Sequence, residues 1–296
     1  MTRDNDTRSG AANQPPVGAL SSVEANVLQK AGTVDNQPLL FTTPTEIIDL
    51  PSGGRFYPSG HPLHGVTEVE IRYMTAKEED ILTNSSFIKK GIAIDRMLQS
   101  VLVRPKFDVQ EMLAGDKNAM IVAARITGFG AEYGAKVTCP VCGEITKHDF
   151  DLNDGKIKDG SDLPENVEAT DRGTFLLRDL PGLDSRANPV EIRLMMGRDE
   201  MALAKSQEQR QKHNLERSLI TDMLKMIIVS VGGHSEVQTV NSFVDSAQTI
   251  TAKTIRNLHR DITPNLDLTQ TFVCKSCDNE EEMEVPFTTE FFWPKQ

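Results

Sequence analysis

The chain has 296 residues, with 32 Lys and Arg against 43 Asp and Glu, giving a formal net charge of −11. That sign argues against a protein that works by neutralising nucleic-acid phosphates, which needs a surplus of basic side chains. No apolar run approaches the roughly 20 residues of a membrane span, and the opening MTRDNDTRSGAANQPP lacks the apolar centre of a signal peptide, so a soluble, non-exported protein is expected.

Residues 1–44 carry Gly, Ala, Ser, Asn, Gln, Thr and Pro with few large apolar groups. Such a segment buries too little surface to offset its ordering entropy, which predicts a disordered or extended N-terminal arm. Residues 45–296 are expected to form one α+β domain. Within it, 47–63 mixes turn formers with apolar and aromatic anchors. The adjacent Gly53 and Gly54 do not make a phosphate cradle, since no Gly-x-x-x-x-Gly-Lys-Ser/Thr pattern is present. His61 and His64 have no acidic or Cys companion at ligand spacing and read as solvated loop histidines. Residues 66–73 alternate at period two and predict a strand with one wet face. Thr75 and Glu78 form a capping box that opens a short helix through Leu82. Ile94, Met97, Leu98, Val101 and Leu102 make one helical stripe, stopped by Pro105. Asp108 marks a further helix start, and 116–127 predicts a helix closed by Gly128 and Gly130.

Beyond a polar stretch, 174–178 and 190–194 are strand candidates either side of a Pro-Gly turn. Residues 199–231 predict the longest helix, ended by Gly232 and Gly233. Its first half is polar over 204–214 and is expected to project or meet a partner. Its second half places Ile220, Met223, Leu224, Ile227, Ile228 and Val231 on one stripe. A last helix over 251–262 precedes Pro264. The adjacent aromatics Phe291, Phe292 and Trp293 are expected to be held by packing.

All four cysteines fall in two Cys-x-x-Cys pairs, Cys139/Cys142 and Cys274/Cys277. Two thiolates three positions apart on a tight turn can face one ion, with sulfur–zinc distances near 2.3 Å, about the tetrahedral norm. Strand-like segments bracket each pair, as in the two knuckles of a zinc ribbon. The pairs are 131 residues apart, far beyond a compact ribbon's roughly 15–20. The chain between them therefore reads as a helical insertion, and the four cysteines as a split ribbon around a structural Zn2+. The rivals are an iron–sulfur cluster and redox or unmetallated thiols. Disulfides within each pair would be strained and unsuited to a reducing compartment, and strand patterns rather than a helix follow each pair, against a thioredoxin-type site.

Catalytic signals are absent. No Gly-x-Ser-x-Gly and no His-Glu-x-x-His occurs. Glu78/Glu79 and Glu280–Glu282 read as solvated carboxylates. His148 could substitute for a cysteine ligand but is not needed; His213, His234 and His259 read as surface or satisfied core residues. Residues 274–296 hold six acidic and two basic side chains, which disfavours phosphate binding by the second knuckle.

The order of Leu-Pro-Ser-Gly-Gly-Arg-Phe-Tyr-Pro at 50–58, Val-Glu-Ile-Arg-Tyr-Met-Thr-Ala-Lys-Glu-Glu-Asp-Ile-Leu at 69–82, Lys-Gly-Ile-Ala-Ile-Asp at 90–95 and Val-Thr-Cys-Pro-Val-Cys-Gly at 137–143 resembles the bacteriophage baseplate family typified by the hub subunit of T-even contractile-tailed phages. The resemblance spans about 46–294 and departs from the type in the long polar N-terminal arm. It implies a virion tail component made in the host cytoplasm, with no catalysis, no small-molecule substrate and other tail and baseplate proteins as partners. Combined with the residues, the expectation is an α+β protein: a helical bundle with small antiparallel β elements, clamped by Zn2+ on Cys139, Cys142, Cys274 and Cys277. The alternatives are a zinc-ribbon nucleic-acid-binding or transcription-associated protein, and a Cys-x-x-Cys redox enzyme.

Overall fold

Alternation sets the first sheet. In the computed structural model, β1 (Thr45–Asp49) pairs antiparallel with β2 (Glu68–Arg72), which buries Val69 and Ile71 and turns its polar residues outward. β3 (Leu102–Arg104) pairs on the other side of β2. Helices α1 (Ala76–Thr83), α2 (Ser85–Lys89) and α3 (Ala93–Val101) lie between β2 and β3, and α4 (Ala114–Phe129) follows. The hairpin β4 (Glu132–Thr138)–β5 (Ile145–Asp151) carries the first cysteine pair, and β6 (Lys156–Lys158) leads out of it. A four-stranded antiparallel sheet comes next, ordered β10 (Ile228–Val231), β9 (Val190–Arg193), β8 (Thr174–Leu177), β7 (Val167–Ala169). Between β9 and β10 run α5 (Gly197–Lys212) and α6 (Leu219–Ile227). Helices α7 (Val237–Ser246) and α8 (Thr249–Ile262) follow. The chain then enters β11 (Asn265–Asp267), which pairs with β6, and the hairpin β12 (Thr269–Val273)–β13 (Glu280–Glu284) with the second cysteine pair. The fold is α+β. The structure describes residues 42–184, 187–287 and 291–292. The expected N-terminal arm lies outside the described residues as far as residue 41, as do Trp293 and Pro294.

Three expectations change. First, 199–231 is not one helix. Asn214 sits in the left-handed region at φ 53°, which its short polar side chain tolerates, and α5 ends just before it. The chain then doubles back into α6. Asp222 on α6 accepts hydrogen bonds from Ser206 Oγ and Gln207 Nε2, both at 3.1 Å, so one polar face of α5 meets α6. Second, the stripes ending at Leu102 and at Ile228 and Val231 cross from helix into strand. Leu102 N–H still bonds Leu98 O and Ile228 N–H still bonds Leu224 O, but the backbone at Leu102 and Ile228 is already extended. Pro105 disfavours helix at the residue before it, and the β-branched run after Ile227 favours strand. Third, Glu78 is not solvated. It is fully buried, bonded by Arg72 Nη1 at 2.9 Å and Nη2 at 2.5 Å, Ser100 Oγ at 2.7 Å and Thr75 Oγ1 at 2.8 Å. Glu79 remains exposed.

Burial alone would raise the Glu78 pKa, but Arg72 and the hydroxyls outweigh it and push the value down to about 2. A carboxylate depressed in this way stabilises the fold above its unfolded pKa, near 4.5, and loses that contribution as pH falls through about 2. The linkage is worth roughly 3 kcal/mol. Glu78→Gln is therefore expected to destabilise the protein at pH 7 and to flatten its stability between pH 5 and 2. Urea unfolding across that range checks this.

The described structure also repeats itself. Val69-Glu70-Ile71-Arg72 and Val190-Glu191-Ile192-Arg193 are the middle strands of two sheets with the same order, β1-β2-β3 and β8-β9-β10. Their registers coincide. Thr45 faces Arg72 and Thr174 faces Arg193; Ile71 faces Leu102 and Ile192 faces Ile228. Glu70 then faces Arg104 and Glu191 faces Ser230, so each third strand skips one residue, Val103 or Val229, at the same place. Each arginine forks onto a carboxylate six residues later at the third position of the next helix, Glu78 or Asp199. Asp49-Leu50-Pro51 and Asp179-Leu180-Pro181 end the first strands, and α4 and α8 each lead to a cysteine hairpin.

Candidate metal centre

Strand alternation carries the first cysteine of each pair inward. On β4, Tyr133, Ala135 and Val137 face the core, and Cys139 continues that register. On β12, Phe272 leads likewise to the buried Cys274. Cys142 and Cys277 sit at the exposed tips. The two turns close alike. Cys139 N–H donates to Glu144 O at 2.9 Å and Gly143 N–H to Cys139 O at 2.9 Å; Cys274 N–H donates to Asn279 O at 2.9 Å and Asp278 N–H to Cys274 O at 3.0 Å. The residue after each second cysteine needs a positive φ, 73° at Gly143 and 52° at Asp278.

The structure brings all four predicted cysteines together, with their Sγ atoms within 4.8 Å of one another. Cys139–Cys277 and Cys142–Cys274 are both 3.7 Å apart. Exchanging the hairpins maps one of these contacts onto the other, so a local twofold relates the pairs. Sulfurs about 2.3 Å from one tetrahedral ion stand about 3.8 Å from each other. A disulfide needs about 2.05 Å, and all four thiols are free. The Cys142 N–H, then that of Val141, favours the Cys139 thiolate and lowers its pKa to about 7 against the pull of burial. At Cys277 the Asn279 N–H acts the same way, but the crowding thiols of Cys142, Cys274 and Cys139 outweigh it and raise the value to about 12. Charge on one sulfur thus opposes charge on the others until a cation joins them. Among the described residues this is the one cluster of three or more His, Cys, Asp or Glu side chains that could hold a metal ion.

Two contacts the sequence reading missed lock the hairpins together. Gln270 on β12 uses its side-chain amide as a strand would, donating to Asp151 O at 2.6 Å and accepting from Asp151 N–H at 3.1 Å. The His148 ring packs edge-on against Phe150 and Phe272, with centroids 4.6 and 5.4 Å away. His148 therefore serves the joint between hairpins and lies outside the sulfur cluster. Tyr133 Oη donates to Pro286 O at 3.0 Å, and its ring meets Phe291 edge-on, which ties down the described part of the aromatic C-terminal segment.

The remaining histidines form no site with the cysteines. His61 is half-buried rather than solvated and stacks on Tyr57; His64, His213 and His234 are exposed. His259 is buried but not satisfied, since its Nε2 has no hydrogen-bond partner. Burial lowers its pKa to about 4, so it is neutral at pH 7.

The sequence model for the T4 bacteriophage base plate protein family matches residues 43–293. The chain belongs to this family. No curated protein and no solved structure matches it. The base plate match spans both cysteine pairs and both repeated sheets. Its Leu-Pro-Ser-Gly-Gly-Arg-Phe-Tyr-Pro element at 50–58 has a structural task in this base plate protein. Ser52 N–H and Oγ donate to the two Asp116 carboxylate oxygens at 2.8 and 2.6 Å, and Tyr57 Oη donates to Oδ2 at 2.7 Å. Tyr57 Oη in turn accepts Leu113 N–H at 2.9 Å, which anchors the start of α4. Gly54 holds φ at 72°, and a Cβ there would stand 2.4 Å from Val66 N.

Proposed function

We propose that this chain is a structural subunit or assembly factor of a contractile phage tail baseplate, in its hub or wedge region, made rigid by one structural Zn2+. Cys139, Cys142, Cys274 and Cys277 would hold the ion as a split zinc ribbon. The observation that carries this reading is the meeting of four sulfurs, from cysteine pairs with 131 residues between them, all within 4.8 Å and two pairs of them at 3.7 Å, close to the spacing of a tetrahedral tetrathiolate. A polynuclear iron–sulfur cluster would hold cysteine sulfurs farther apart, because bridging sulfides separate its irons. Four protein ligands leave no open position, so the ion's task is to hold chain segments together and not to react. The exposed Glu280, Glu281 and Glu282 on β13 would repel phosphate, which supports protein partners over nucleic acid. Those partners are neighbouring tail and baseplate proteins, and the working location is the virion tail.

Metal analysis of the full chain tests the zinc, and tail assembly tests the role. One zinc per chain is expected, together with defective tails when the phage carries Cys139→Ala and Cys274→Ala. Stoichiometry well below one with free thiols would remove the zinc. Intact, infectious tails from the double variant at normal protein level would remove the clamp.

A further inference from the structure

Each exposed sulfur of the cluster lies against a buried sulfur of the other hairpin. Cys277, at the tip of the second hairpin, is 3.7 Å from the buried Cys139; Cys142, at the tip of the first, is 3.7 Å from the buried Cys274. Neither contact lies within a Cys-x-x-Cys pair. A sulfenic acid formed on an accessible cysteine condenses with a nearby thiol to a disulfide. The arrangement sets a sheltered sulfur of the opposite hairpin beside each accessible one.

Other contacts cross the same joint. The Gln270 side chain bonds Asp151 N–H and O, the His148 ring packs on Phe272, and Tyr133 Oη donates to Pro286 O. A disulfide needs its sulfurs about 2.05 Å apart, so each 3.7 Å contact has to close by about 1.6 Å. Cys142 and Cys277 are exposed, so turning them displaces no packed core.

We propose that the sulfur cluster is a redox-convertible joint, which peroxide oxidises to two disulfides between the hairpins, Cys139–Cys277 and Cys142–Cys274. The joint then stays closed after the ion has left. The proposal rests on the zinc reading for its starting state and adds what replaces that state. The Cys277 thiolate attacks hydrogen peroxide and breaks its O–O bond, giving a sulfenic acid and hydroxide. The Cys139 thiolate attacks that sulfur and displaces its oxygen as a second hydroxide. Cys142 and Cys274 repeat the two steps with another peroxide. Four thiolates thus lose four electrons, two peroxides become four hydroxides, and Zn2+ is released. Pairing within each hairpin consumes the same oxidant but leaves the hairpins unlinked. Thiols persist in a reducing cytoplasm and disulfides on virion surfaces, so a tail protein made in one and working in the other meets both states.

Peptide mapping of the non-reduced full chain after titration with hydrogen peroxide tests this, with zinc release followed in parallel. Two peroxides per chain are expected to consume all four thiols. The chain mass should fall by four hydrogens, and the linked peptides should be Cys139–Cys277 and Cys142–Cys274. Cys142→Ser separates the two pairings: Cys139–Cys277 still forms if sulfurs pair across the hairpins, Cys274–Cys277 if they pair within them. Disulfides within the pairs, disulfides between chains, or sulfinic acids in place of disulfides would overturn the proposal. Metal content is measured before oxidation. A zinc-free chain that still pairs across the hairpins would remove the zinc reading and sustain the pairing proposed here.

Discussion

With Zn2+ on the four sulfurs as proposed, Cys139→Ser is expected to release it and to lower the unfolding midpoint by about 10–20 °C. The lost term is binding free energy that exists only in the folded state, of order 5 kcal/mol or more at ordinary zinc levels. In a domain of this size each kcal/mol moves the midpoint by about 2–4 °C. Phe272 packing, the Gln270 clamp and the Tyr133–Pro286 bond would still tie the second hairpin segment to the first. Calorimetry with and without chelator checks the size, and Cys274→Ser should match Cys139→Ser because both are the buried member of their pair. A midpoint unchanged by chelator would exclude a stabilising metal.

Asp116→Ala is the second large effect, expected to cost about 3–5 kcal/mol. Three buried donors lose their acceptor at once: Ser52 N–H, Ser52 Oγ and Tyr57 Oη. Each buried group left unpaired costs about 1–3 kcal/mol, with some relief from relaxation. Tyr57→Phe removes one bond to Asp116 and leaves Leu113 N–H without its acceptor, for about 1–2 kcal/mol. Denaturant unfolding with matched slopes checks both. The pH sign also separates this carboxyl from Glu78. Burial raises the Asp116 pKa even though Ser52 and Tyr57 hold it down. Its contribution is therefore full below the unfolded value, near 3.8, and declines as pH rises through the folded one. The two buried carboxyls thus answer to pH with opposite signs: acid removes the stabilisation linked to Glu78, whereas the contribution of Asp116 is lost as pH rises.

The cysteine cluster was legible because spacing and flanking alternation both point to it, and neither depends on what lies between the pairs. The strand at 68–72 was legible from period two, and those at 174–177 and 190–193 from apolar and β-branched runs either side of a Pro-Gly turn. The apolar stripes misled where Leu102 and Ile228 continue a helical pattern while the backbone turns extended, since large apolar residues suit the core in either form. Asn214 carried a stop signal, outweighed by the apolar run beyond it. Glu78 looked solvated because its partner Arg72 sits on a strand, and no helical spacing joins the two. Helix α7 and strand β1 fell in stretches dominated by turn formers or polar residues. The repeat stayed hidden because its identities are confined to Asp-Leu-Pro, Val-Glu-Ile-Arg and Cys-x-x-Cys, separated by loops of unequal length.

The split of the sulfur cluster across 131 residues has a consequence during synthesis. At about 5–20 residues per second, roughly 7–27 s separate the appearance of Cys142 from that of Cys277. For almost all of that interval only two of the four sulfurs exist, and the fourth appears only at its end, so no ion can be fully enclosed before then. Closure of the proposed metal site would therefore wait until translation has passed residue 277, so that metal uptake would mark the point at which a ribosome has delivered both halves of the fold.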